Sequence, residues 1–194
     1  MSKAEKTRQF IVEKTAPIFN TKGFAGTSLS DMTEATGLTK GSIYGNFANK
    51  DEVAVASFDF NLLKLRTYIS SEEEKATTIK EKLKVRTRIF GDERPVSYPA
   101  GGCPLLNTAT EADDTHPELR ARVVDALETW KDRTVRMIET GIKNGEIAAD
   151  TDAEQVALTL MSMIQGAIMI SRTTAKRSYG KSVMEVAQRY IDSL

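Results

Sequence analysis

The chain has 194 residues, 40% hydrophobic and 28% charged, with 27 basic and 27 acidic side chains that cancel. That length supports a real core in one or two domains, one cysteine excludes an intramolecular disulfide framework, and the lack of a run of about eighteen uninterrupted apolar residues argues against a membrane span. The charge is unevenly spread: residues 1–50 carry seven Lys/Arg against four Asp/Glu, whereas 111–154 carry six against twelve, as suits a protein that presents a basic end to nucleic acid.

Lys3 to about Thr21 is predicted as the first helix, with Phe10, Ile11, Ile18 and Phe19 on its buried stripe. The opening MSKAEKTRQF has no apolar signal core, so a cytoplasmic location is expected. Pro17 removes one backbone bond inside this helix and predicts a kink there, and Gly23 closes it. Ser28 caps a second, short helix with Leu29, Met32 and Ala35 behind it, and Gly37 ends that helix. Thr39 caps a third, on which Ile43 and Phe47 sit four apart on one face. Asn49, with Glu52 three positions on, opens a fourth in a capping-box-like pattern.

Two short helices joined by a glycine turn, each with a thin apolar edge, make a helix-turn-helix. With Ile43 and Phe47 turned inward, Lys40, Ser42, Tyr44, Gly45 and Asn46 face outward or flank the outer face. They supply a cation, a hydroxyl, a phenol, bare backbone and an amide, groups that suit phosphates and base edges in a major groove. A helical hairpin within an ordinary all-α core is the alternative, but two or three apolar anchors per helix would make a poor core.

The run GFAGTSLSDMTEATGLTKGSIYGNFANKDEV, with the helix before it, resembles the TetR family of bacterial transcriptional regulators over roughly the first quarter of the chain. The resemblance implies that Thr27 and Ser28 meet phosphate at the start of the second helix. It also puts Thr39, Lys40, Gly41, Ser42, Tyr44 and Asn46 on or beside the recognition helix, and Lys50 on phosphate at the start of the fourth. Three positions depart from the family pattern: Gly45 replaces a frequent aromatic or large residue, Asn46 a common histidine, and Thr33 a usual alanine.

Beyond Asn49 the fourth helix is predicted to run to about Ser70, with one apolar stripe at Val53, Ala56, Phe60 and Leu63 and a second at Val55, Phe58, Leu62 and Leu65. A helix apolar on two faces lies between layers, which makes it the natural lever between head and remainder. SSEEEK is a polar loop or first turn, and Thr78 to Phe90 a helix whose alternating basic residues fit a solvated face, with a nucleic-acid patch as the alternative. Gly91 to Gly102 breaks regular structure. Pro104 then opens a short helix capped by Cys103, a position where the dipole favours thiolate; a small buried thiol is the inert alternative.

Thr115 and Glu118 predict a capping box for a helix to about Lys143, with Trp130, Met137 and Ile138 among its inward residues. His116, the only histidine, fits surface capping better than a metal site, which needs more nitrogen or sulfur ligands. Asp152 caps a helix over Ala153 to about Arg172, containing VALTLMSMIQGAIMI, apolar almost all round but short for a membrane. Lys181 to Leu194 is the last helix, with Val183, Val186, Ala187, Tyr190, Ile191 and Leu194 at helical spacing. These two C-terminal helices carry surplus apolar surface, and the family resemblance implies that they form a four-helix dimer interface with their copy.

The expected fold is all-α: a three-helix helix-turn-helix head over 1–48 and a helical effector-binding and dimerisation domain over 49–194. The expected function is a homodimeric, ligand-responsive transcriptional regulator, a repressor released from a palindromic operator on double-stranded DNA by a small molecule of unknown identity. Candidate ligand residues are Phe60, Leu63, Cys103, Leu106, Asn107, Trp130, Met137, Met161 and Gln165, large or polar within apolar helices; a buried amide must find a hydrogen-bond partner, which a ligand could supply. A thiol switch at Cys103 that senses electrophiles or oxidants is the second reading. No Ser-His-Asp set, metal motif or phosphate loop appears, so no catalytic residues, metal, cofactor, membrane association or enzyme activity are expected.

Overall fold

The computed structural model describes residues 2–91 and 99–194. Among the described residues the chain forms nine α-helices and no strand: α1 (Lys3–Gly26), α2 (Leu29–Thr36), α3 (Lys40–Tyr44), α4 (Lys50–Glu73), α5 (Ile79–Gly91), α6 (Pro104–Ala112), α7 (Pro117–Lys143), α8 (Ala153–Thr173) and α9 (Arg177–Ser193). Most of the expected Gly91 to Gly102 break lies outside the described residues. The described end of it is a turn in which Gly101 and Gly102 adopt φ of 85° and 97°.

The helix starts follow local capping chemistry. Ser28 accepts from the Asp31 N–H while Asp31 accepts from the Ser28 N–H, Thr39 accepts from Ser42 N, Asn49 from Glu52 N and Asp152 from Gln155 N, each satisfying a donor that the first turn leaves open. Two expectations are corrected. Glu52 reaches the Ala48 N–H at 2.7 Å rather than completing a box with Asn49. The cap of α7 is the buried His116, whose Nδ1 accepts from Leu119 N at 3.2 Å, while the Thr115 hydroxyl donates to the Glu111 carbonyl.

Of the two interruptions expected in α1, the one at Gly23 is present and the kink at Pro17 is not. Pro17 is accommodated, and the non-helical backbone is at Gly23, with φ 76° and ψ 178°. A proline removes only one bond, whereas that φ lies in the region open chiefly to glycine. One further helical turn, through Gly26, follows the break.

Packing divides the chain into two compact units that do not follow the 48/49 boundary. The first gathers the described residues of 1–66 and 98–125, the second those of 67–97 and 126–194. The head is therefore larger than three helices, because the first part of α4, α6 and the start of α7 pack with it. Its core includes Ile11, Ala16, Phe19, Met32, Ile43, Phe47, Val53, Phe58, Leu62 and Leu119, all buried. Two buried polar contacts cross this core: Thr15 and Ser57 hydroxyls meet at 3.1 Å, and the Asn61 amide donates to the Ala16 carbonyl at 2.8 Å.

The second unit is built on Ile79, Leu83, Ile138, Ile147, Val156, Ala157, Leu160, Ala187 and Ile191. Its α8 packs along α9, and Gly180 lets the two approach: a Cβ there would lie 2.8 Å from Ser171 Cβ. At 21 residues α8 is long and apolar enough to span a bilayer by length and composition, so shortness does not exclude that. Its Val156, Ala157, Leu160, Ile164, Ala167 and Ile168 are buried within the fold.

Candidate nucleic-acid interface

The head orients α3 through two anchors. Ile43 is fully buried and Phe47 is 2% exposed, which turns the opposite side of the five-residue helix outward. Thr39, Lys40 and Gly41 are exposed, and Ser42, Tyr44 and Asn46 are half-buried at the edges of that face. A single side chain from α1 holds the far end. Arg8 donates to the Asn46 carbonyl at 2.6 Å and to Glu52 Oε1 at 2.7 Å, with its guanidinium 3.9 Å from the Phe47 ring centroid. The N–H of Ala48 and, secondarily, Arg8 hold the Glu52 carboxyl below its ordinary range.

The groups left for a partner can be separated from those already engaged. Among the described residues the side chains of Lys40 and Tyr44 make no hydrogen bond, and Lys40 is exposed on its helix. Asn46 donates one amide hydrogen to Ser42 O at 2.9 Å, which leaves its oxygen and second N–H. Ser28 is exposed but shares its hydroxyl with Asp31 at 2.9 Å. Lys50, at the start of α4, rests 4.4 Å above the Phe24 ring, a cation–π seat that keeps the ammonium at the surface. Thr27 departs from expectation: its side chain is 1% exposed and its hydroxyl donates to Gly23 O at 2.6 Å, so it braces the α1–α2 turn.

Of the expected ligand residues, Asn107, the pair Phe60 and Leu63, and Met137 line three separate cavities among the described residues. One of about 20 Å³ in the first unit, lined by Phe19, Phe24, Asn61, Asn107 and Glu111 among others, has room for about one water. Its Asn107 amide already donates to Asn20 O and Gly101 O, both at 2.9 Å. A groove of about 650 Å³ between α1 and α4 contains Phe60 and Leu63, and Leu63 is 65% exposed there. A cleft of about 400 Å³ in the second unit contains Met137 beside Ser70, Glu73, Ile79, Lys82, Arg133 and Arg136. Leu106, Trp130, Met161, Gln165 and Cys103 line none of these three. Trp130 is buried under Arg86, whose guanidinium lies 4.5 Å from the ring. Cys103 is the N-cap residue of α6 as expected, yet its side chain makes no cap bond and is 2% exposed; nothing points to a thiol switch.

Sequence reasoning missed Arg8 and Glu111, because their partners are 38 to 87 positions away. The described residues hold no cluster of His, Cys, Asp or Glu suited to a metal ion.

A short helix whose apolar side is anchored in a small helical head, and whose other side offers a cation, hydroxyls and an amide, defines a helix-turn-helix DNA-binding regulator. Residues 11–56 match the model for bacterial regulatory proteins of the tetR family, and residues 89–187 match that for the tetracyclin repressor-like C-terminal domain. The chain belongs to the TetR family. It is 46% identical to a TetR-family transcriptional regulator from Cytophaga hutchinsonii, whose crystal structure superposes with a TM-score of 0.97 over 100% of this chain and 97% of that one. A TetR transcriptional regulator from Chloroflexus aurantiacus J-10-FL is 35% identical, with a TM-score of 0.91 over 98% and 96% of the two chains. The HTH-type transcriptional repressor DhaR of Mycobacterium sp. (strain GP1) is 26% identical over 84% of this chain and 80% of its own. The protein is thus a ligand-responsive DNA-binding transcriptional regulator of the repressor class, and not an enzyme. Regulators of this family bind operator DNA, dimerise and bind small-molecule effectors.

Proposed function

We propose that the chain acts in the cytoplasm as a homodimer, each head setting α3 into a major groove of a near-palindromic operator. Half-sites would then lie about 34–36 Å apart, or multiples of that. The observation that carries this reading is the two-sided α3: Ile43 and Phe47 buried, Lys40 and Gly41 exposed. Lys40, Ser42, Tyr44 and Asn46 read the groove, with Thr39 and Gly41 at its entry, while Ser28 and Lys50 meet phosphate. Thr27 contributes by bracing the turn beneath them.

The copy pairs through α8 and α9. Support comes from Leu158, Met169 and Ile170 on α8 and Tyr179 and Val186 on α9, each between 39% and 50% exposed. Surplus apolar surface on two adjacent helices is what a self-complementary dimer covers.

The effector enters the second unit. The cleft of about 400 Å³ at Met137 offers an adaptable apolar side chain beside Ile79 and a wall of mixed charge, with Lys82, Arg136 and Glu74 beside an Arg133–Glu73 ion pair. A ligand there releases the operator only through unequal affinity for the DNA-competent and incompetent forms of the dimer, and a tenfold weakening requires about 1.4 kcal/mol of such coupling.

Selection of bound duplexes from random DNA tests the reading. The expected product is a two-fold symmetric site, and Lys40→Ala with Tyr44→Ala abolishes its enrichment. A protein that enriches no duplex, or that remains monomeric at working concentrations, contradicts it.

A further inference from the structure

The residue that locks the end of α1 is on α6. At Gly23 the first helix breaks, and the turn that follows exposes the N–H groups of Phe24 and Ala25 as a new helix start would. Glu111 covers both: its Oε2 accepts from Phe24 N at 2.7 Å and its Oε1 from Ala25 N at 2.8 Å. A carboxylate placed on two free N–H groups makes two charge-assisted hydrogen bonds at the positive end of the restarted turn.

The fit depends on Gly23 twice. Its φ of 76° is strained for any other residue, and a Cβ there would lie 2.5 to 2.9 Å from the Glu111 carboxylate. One turn earlier on the same face of α6, Asn107 donates to Asn20 O and to Gly101 O. Thus α6 grips α1 at two points a turn apart.

The consequences run directly into the DNA-binding elements. Thr27 donates its hydroxyl to Gly23 O at 2.6 Å, and the next residue, Ser28, is the N-cap of α2. The Phe24 ring meets the roughly perpendicular ring of His116, 4.5 Å away, and also carries the Lys50 ammonium at 4.4 Å. The pose of Phe24 and Ala25 therefore sets both the entry into α2 and the seat of Lys50.

We propose that Glu111 is a positioning residue for operator recognition: its carboxylate is a latch by which α6 fixes the helix-turn-helix in its DNA-reading pose, and whose release loosens it. This rests on the DNA-binding reading above. The latch acts on geometry rather than on the charge of the interface. Its loss weakens specific binding, which demands register, and leaves non-specific binding, which needs only phosphate contacts.

The test compares wild type, Glu111→Gln, Glu111→Ala and Gly23→Ala on a duplex selected by the wild type and on a scrambled duplex of equal length. Thermal melting and amide exchange at Phe24 and Ala25 are followed in parallel. Glu111→Ala is expected to weaken selected-site binding about tenfold or more while scrambled-site binding stays within about twofold, with faster exchange at both amides. Glu111→Gln, which keeps one acceptor oxygen, falls between, and Gly23→Ala reproduces the loss from the other side of the contact. Selected-site binding unchanged in Glu111→Ala overturns the latch, as does an equal fall on both duplexes together with a lowered melting temperature, which marks a fold defect. A wild type that selects no duplex overturns the DNA-binding reading beneath it, whereas an unchanged Glu111→Ala with a wild type that does select overturns the latch alone.

Discussion

Asp31 has two jobs at the start of α2, pairing with Lys22 at 2.7 Å and capping through Ser28. The hydrogen bond from Lys22, and then those from Ser28, lower its carboxyl to about 2. A depressed carboxyl contributes stability above its unfolded value, about 4, and loses it as pH falls through the folded value. The account predicts that α2 keeps its cap between pH 4 and 7 and loosens toward pH 2. Asp31→Asn should flatten that dependence, as measured by amide exchange in α2 across an acid series. Arg8 is the second such residue. Arg8→Ala removes a part-buried hydrogen bond to the Asn46 carbonyl and the stacking over Phe47, and is expected to weaken operator binding several-fold, measured by fluorescence anisotropy. What was legible at this scale was local. The caps at Ser28, Thr39 and Asp152 follow from a polar side chain three residues before an open N–H. Thr27 and Asn107 looked available because the groups that engage them, Gly23 O and the carbonyls of Asn20 and Gly101, are revealed only once the chain is folded.

Element boundaries were legible where caps mark them and not where packing extends a helix. The start of α2, α3, α4 and α8 follow their cap residues, whereas α9 begins at Arg177, ahead of the expected Lys181, without any side-chain cap bond. In α4 the stripe of Val55, Phe58, Leu62 and Leu65 is buried as periodicity requires. The companion stripe is buried at Val53 but opens through Ala56 and Phe60 to an exposed Leu63; hydrophobic spacing identifies an apolar face but not how far its neighbour extends. Two buried anchors, Ile43 and Phe47, hold α3 in place. Ile43→Ala, at a fully buried site, should cost about 2–5 kcal/mol in urea unfolding. It should also release α3 before the second unit melts, with faster amide exchange from Lys40 to Tyr44.

At the scale of the whole molecule, the sequence and the family resemblance anticipated an all-α regulator with a basic head, and the packing redistributed it into units that α4 and α7 each enter. The ligand residues could not be chosen from sequence, since large or amide side chains in apolar helices, Trp130 and Met161 among them, serve equally to fill a core. Pairing through α8 and α9 predicts that Leu158→Glu with Met169→Glu yields a monomer by light scattering and loses operator affinity, because a lone head grips only one half-site. The most direct measurement is a titration of the wild type and Lys40→Ala against the selected operator across a salt series. The account predicts weaker binding by the variant and a salt slope reduced by about one unit per head when Lys40 meets phosphate, or unchanged slope with relaxed base preference when it meets a base edge. Equal affinity, equal slope and equal base preference for the two proteins would contradict it, because α3 would then not be the face that meets DNA.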